Sequence, residues 1–104
     1  MPETPTVDAV AMAEDAIRRI AGETLPHASL VLFGSRARGD ARRRSDFDLA
    51  VIPGPGFRQK ELAWFSDRIE ESSKIIYPVD IVDTRTASKE MLAKIEREGL
   101  RWKD

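Results

Sequence analysis

The chain has 104 residues, 41% of them hydrophobic, the size and apolar content of one compact domain with a modest core. Seventeen Lys and Arg against eighteen Asp and Glu leave a formal charge of -1, which does not support a general basic coat for nucleic acid. The absence of cysteine removes a disulfide framework, Cys-ligated zinc and a thiol nucleophile, and suits a reducing cytosol.

Met1 to Thr6 holds two prolines and little to bury, so a disordered leader over 1–6 and a single domain over 7–104 are expected. Val7, Val10, Ala13, Ile17 and Ile20 recur at helical spacing, with Glu14, Asp15, Arg18 and Arg19 on the other side; this predicts an amphipathic helix ending near Gly22. Ser29 to Phe33 is apolar and runs straight into Gly34, the profile of a buried strand and a turn. Leu30 to Phe33 is purely apolar, and no such run in the chain exceeds five residues, far short of the roughly 18 residues of a membrane span. With no signal peptide visible, a cytoplasmic protein with no membrane partner is expected.

Asp46 to Ile52 alternates, with Phe47, Leu49 and Val51 facing one way and Asp46, Asp48, Ala50 and Ile52 the other. The "PGPG" of Pro53 to Gly56 ends that strand and leads into a helix with Leu62, Phe65 and Ile69 as its apolar stripe, flanked by Trp64. Trp64 is at least as well explained by the core as by a partner surface. A third strand, "VDIVD", follows Pro78. The last helix carries Met91, Leu92 and Ile95, with Thr86 or Ser88 as N-cap and Gly99 as C-cap. Trp102, among charges near the end, is a candidate partner contact. The order predicts an α/β or α+β fold, a small sheet flanked by helices.

Five arginines and three aspartates crowd residues 33 to 51. Two carboxylates two residues apart on one strand face are costly unless a positive charge sits between them, and oxygen ligands alone favour Mg²⁺, with Mn²⁺ as the alternative, over zinc. Such sites leave room for substrate phosphates. Upstream, Gly34 permits a sharp bend, Ser35 offers a hydroxyl and an N–H, and the following segment can open as a helix whose N-terminus favours anions. Arg36 or Arg38 could fork onto a polyphosphate. On the third strand Asp80 and Asp83 have opposite parity; Asp80 is the better third carboxylate, as general base or as a metal ligand. Arg42, Arg43 and Arg44 read as a solvated loop or as contacts to an acidic partner, His27 as structural or exposed, and Asp83 as a strand-end residue.

"GSRARGDARRRSDFDL", Gly34 to Leu49, resembles the signature G-S-x-A-R-G, five variable residues, S-D-x-D-L of minimal nucleotidyltransferases in the DNA polymerase β-like superfamily. With Val79 and Asp80 the resemblance spans roughly residues 28 to 100 in order of elements. It implies a polymerase β-like nucleotidyltransferase fold, nucleotide binding at Gly34, Ser35 and Arg38, and Mg²⁺ held by Asp46 and Asp48 with Asp80 assisting the nucleophile. The implied reaction is attack of a hydroxyl on the α-phosphate of ATP or another NTP. The family includes short antitoxins that adenylylate a tyrosine of a HEPN-domain toxin, so a hetero-oligomer with such a toxin is the implied partnership. With no second domain in view, the acceptor is expected on another protein. The competing readings are a binding protein that neutralises its partner by occlusion, and a transferase acting on a small molecule or a nucleic-acid end. A P-loop, a Rossmann fingerprint and a hydrolase elbow are absent, and the near-neutral charge and lack of an aromatic platform weigh against a nucleic-acid partner.

Overall fold

The computed structural model describes residues 8–104. The leader expected over 1–6, and Val7, lie outside the described residues. Helix α1 spans Ala9–Thr24, and Asp8 caps it by accepting hydrogen bonds from the Val10 and Ala11 N–H groups at 3.1 and 3.4 Å. The helix runs on through Gly22 rather than stopping there, because Ala21 and Thr24 are both buried and the Thr24 hydroxyl donates to the Ile20 carbonyl at 2.8 Å. Packing on this last turn outweighs the helix penalty of a single glycine.

Strand β1 (Ala28–Phe33), the short helix α2 (Ser35–Arg38), strand β2 (Phe47–Pro53), helix α3 (Gln59–Glu71), strand β3 (Val79–Asp83), helix α4 (Lys89–Glu98) and strand β4 (Leu100–Lys103) follow. The strands form one mixed sheet in the order β3-β2-β1-β4. β1 is antiparallel to both neighbours, and β2 and β3 are parallel, with α3 as the crossover that parallel strands require. The fold is the expected small sheet flanked by helices. β4 has no counterpart among the expected elements: its four residues are too few for a periodic signal, and it exists because β1 offers it an edge.

Both faces of the central strands are covered, which follows from their near-continuous apolar sequence. Leu30, Leu32, Phe47, Leu49 and Val51 pack with Ile17 and Ile20 of α1 and with Phe65 and Ile69 of α3. On the opposite face Val31, Phe33 and Ala50 meet Ile95 of α4. Ser88 caps α4, accepting from the Met91 N–H at 3.1 Å, and Gly99 is its C-cap. Trp102 turns inward instead of forming an outward anchor: its ring lies 6.4 Å from that of Phe47, with the Arg18 guanidinium 4.7 Å above it. Trp64 is the reverse case, 52% exposed on α3, because Phe65 and Ile69 take the face that meets the sheet.

One buried carboxylate ties α3 to the start of β1. Glu61 accepts from the His27 backbone N–H at 3.1 Å, pairs with His27 Nδ1 at 2.8 Å, and accepts from the Arg58 N–H at 3.3 Å. Burial pushes its carboxyl up, but these bonds to His27 and Arg58 prevail and hold it below the usual carboxylate range. Glu61→Ala leaves two backbone donors unpaired, and we expect a loss of about 2 kcal/mol, roughly 10 °C in Tm, measured by thermal denaturation at pH 7. Because the folded-state value is depressed, this contribution is full above the unfolded value and disappears as pH falls through the folded one, so the gap between wild type and variant closes in acid. Among the described residues no helix is long and apolar enough to cross a membrane.

Candidate active site

The site forms where β1 ends and β2 begins. Gly34 leaves β1 with φ 79° and ψ -161°, a combination open essentially to glycine. A Cβ there would stand 3.2 Å from the Asp48 Cβ and run into the Asp48 carboxylate. The glycine of the motif therefore does two things: it makes the turn, and it lets the backbone lie directly against the acidic side chain. α2 follows at once and closes on Gly39 in the left-handed conformation, with the Gly39 and Asp40 N–H groups donating to the Ser35 carbonyl at 3.0 and 3.1 Å.

β1 and β2 place Asp48 opposite Phe33, and the parallel pairing of β2 with β3 puts Asp80 in register with Asp48. Val79 and Ile81 pack against the α1/α3 core while Val82 joins the α4 side, so Asp80 shares the face of Asp48 as parity predicts. Asp46 lies one residue before β2, exposed, rather than within the strand. The strand starts at Phe47 because that residue is the anchor. Phe47 is fully buried, its N–H donates to the Pro78 carbonyl at 2.9 Å, and its ring meets Tyr77 edge-on at 5.7 Å.

The Asp48 carboxyl sits above the usual carboxylate range, raised first by burial and then by the charges of Asp80 and Asp46, with Lys94 and Arg38 opposing. Gly34, Asp46, Asp48 and Asp80 thus come together at one end of the sheet, with Ser35 opening α2 beside them. A half-buried carboxylate flanked by two others makes a donor set that suits a hard divalent cation. Among the described residues no group of three His, Cys, Asp or Glu side chains is already arranged to hold a metal ion. Asp83 takes no part in this cluster, because Arg85 bonds its carboxylate and holds it below the usual range.

The two arginine candidates, of which the resemblance selects Arg38, divide their roles. Arg36 donates from Nε and Nη2 to the Ser45 carbonyl at 3.1 and 2.7 Å and lies over the Phe47 and Tyr77 rings at 4.5 and 4.6 Å. It clamps the peptide just before Asp46 and has no freedom to reach a substrate. Arg38 stays at the rim, bonded to Asp40 at 3.2 Å and to Glu98 at 3.0 Å. Arg42, Arg43 and Arg44 are exposed in the loop that leads to Asp46.

Two neighbours of the site are not among the residues expected from the sequence. Lys94 and Glu98 are one turn apart on α4, Lys94 near enough for its charge to act on Asp48 and Glu98 bonded to the Gly34 N–H at 3.1 Å. A signal for them exists: they flank the Met91 and Ile95 stripe, and whatever that stripe packs on they must border.

A mixed sheet whose Gly-Ser turn meets two acidic strands defines a nucleotidyltransferase fold. The model of the polymerase β nucleotidyltransferase family matches residues 16–101, and the chain belongs to that family. Among solved structures it is similar to a toxin–antitoxin complex with AMP-PNP, at 26% identity and TM-score 0.68 over 86% of this chain and 71% of that one. It is also similar to a protein assigned as a minimal nucleotidyltransferase, at 26% identity and TM-score 0.67 over 93% and 98% of the two chains. A chain in the structure of a tri-AMPylated HEPN toxin of Shewanella oneidensis in complex with MNT antitoxin shares the fold, at 22% identity and TM-score 0.62 over 88% and 70%. No curated protein matches the chain in sequence.

Proposed function

We propose that this protein is a Mg²⁺-dependent nucleotidyltransferase that moves AMP from ATP to a hydroxyl of a partner protein, a tyrosine of a HEPN-domain toxin, and thereby acts as a cytoplasmic antitoxin within a hetero-oligomer. The observation that carries this reading is the close approach of the Gly34 turn to Asp48, with Asp80 in register beside it: a glycine turn and an acidic cluster abut. Similarity to a toxin–antitoxin complex with AMP-PNP supports both the nucleotide and the kind of partner.

In this reading the Gly34 and Ser35 turn and Arg38 bind the phosphates. Asp46 and Asp48, with Asp80, hold Mg²⁺ or Mn²⁺, which when bound stabilises charge on the triphosphate. Asp80 receives the proton of the attacking hydroxyl as its oxygen bonds to the α-phosphorus, and the bond from that phosphorus to the bridging oxygen breaks to release pyrophosphate. Arg36 keeps Asp46 in place through the Ser45 carbonyl. The exposed arginines 42–44 border the site, where an incoming acidic segment would meet them.

The test is the intact mass of the protein encoded beside this one, co-expressed with wild type and with the Asp46→Asn, Asp48→Asn variant. Increments of whole AMP units, present only with wild type, are the expected result. A stable complex without any increment would replace transfer by neutralisation through binding.

A further inference from the structure

The Gly34 N–H, in the turn assigned above to phosphate, and the Arg38 guanidinium converge on a single acceptor in this structure. Glu98 Oε1 accepts from Gly34 N at 3.1 Å and from Arg38 Nη1 at 3.0 Å, and the Glu98 side chain is only 12% exposed. Glu98 is the last residue of α4, held there by the helix whose Ile95 is buried against the sheet. Its carboxylate is therefore presented to the turn by a fixed element and not by a mobile loop.

We infer that Glu98 is a built-in phosphate surrogate: its carboxylate occupies the donors of the turn, and the triphosphate must displace it to bind. The inference rests on the nucleotide-binding reading above. Its physical basis is that a phosphate oxygen sharing the Gly34 N–H would stand beside the Glu98 carboxylate with like charges in contact. Without nucleotide the same carboxylate satisfies a buried N–H and holds the Arg38 guanidinium beside the turn. Glu98 thus preserves the shape of the turn and sets a lower affinity for nucleotide than the turn and Arg38 would have alone. It also links nucleotide entry to the C-terminal end of α4, since the displaced side chain must rotate away from the turn.

Two measurements test this. In isothermal titration with MgATP, Glu98→Gln, which keeps the side chain's size and removes its charge, is expected to bind about tenfold more tightly than wild type, about 1.4 kcal/mol. In wild type labelled with ¹³C and ¹⁵N, the Glu98 carboxyl and Gly34 amide resonances are expected to shift together as MgATP is added, and this needs no variant to fold. An affinity unchanged or weakened by Glu98→Gln, or a Glu98 carboxyl resonance that stays still while Gly34 moves, overturns the inference and leaves Glu98 a structural support of the turn. If neither wild type nor variant binds MgATP, the nucleotide reading itself falls and takes this one with it.

Discussion

Replacing Asp46 and Asp48 together by Asn is expected to abolish transfer while making the folded protein more stable. The loss of activity is expected to be roughly a thousandfold or more, since charge stabilisation of several kcal/mol is removed at about 1.4 kcal/mol per decade. The gain in stability follows from the state of Asp48, whose carboxyl lies above the usual range because of burial and the neighbouring Asp80 and Asp46. A raised folded-state value means that the native protein binds the proton more tightly than the unfolded chain, so native stability falls as pH rises through that value. Asn carries no charge to desolvate, so the variant escapes this loss at pH 7. In melts without divalent cation, the variant is expected to have the higher Tm at neutral pH, and the two curves to converge as pH falls below the unfolded value of about 3.9. Adding MgCl₂ and ATP should then raise the Tm of wild type and leave the variant where it was. A variant that melts lower than wild type at pH 7 would mean that the carboxylates serve the fold, and the active-site assignment would fail.

That pairing of instability with chemistry also explains why the site is legible in the sequence. Two aspartates at strand spacing have no structural use in a face that otherwise holds Ala50 and Ile52, and a glycine followed by a polar segment has no reason to adjoin them unless the backbone must approach closely. The α1, β1, β2, α3, β3 and α4 elements are readable because each carries its own periodicity and its own punctuation at Gly34, Pro53, Pro78 or Ser88. What escapes depends on contacts between distant segments. β4 is strand only because β1 has a free edge, and Trp102 is inside only because β4 carries it past Phe47. Gly22 looks like the end of α1 until Thr24, at the helix's true end, is seen to be buried. What Arg36 does instead of binding phosphate is not readable either, although the family signature selects Arg38. The places of the two are decided by the Ser45 carbonyl and by Glu98, nine and sixty positions away from them.

Gly34→Ala is expected to disable the site by geometry rather than by charge, and Gly39→Ala separates the two costs it combines. Both glycines have positive φ, 79° and 87°, so alanine strains the backbone at either position by about 1 to 3 kcal/mol, with the larger strain at Gly34, whose ψ of -161° is open essentially to glycine, and the smaller at the left-handed Gly39. At Gly39 a new Cβ meets nothing within 4 Å, so strain is the whole cost. At Gly34 the Cβ collides with the Asp48 carboxylate, and the nearest relief is for Asp48 to swing away or for the turn to open. Either movement separates the phosphate donors from the acid beside them. Gly34→Ala should therefore lose a hundredfold or more in MgATP affinity or transfer rate, on the order of the roughly 1 Å misplacement that costs a factor of about 100. Gly39→Ala should lower Tm less than Gly34→Ala does and keep most of its activity. Measuring Tm, MgATP binding and partner mass for the pair decides the matter: equal loss of function in both would show that the turn needs only its backbone shape, and that its contact with Asp48 has no part in the chemistry.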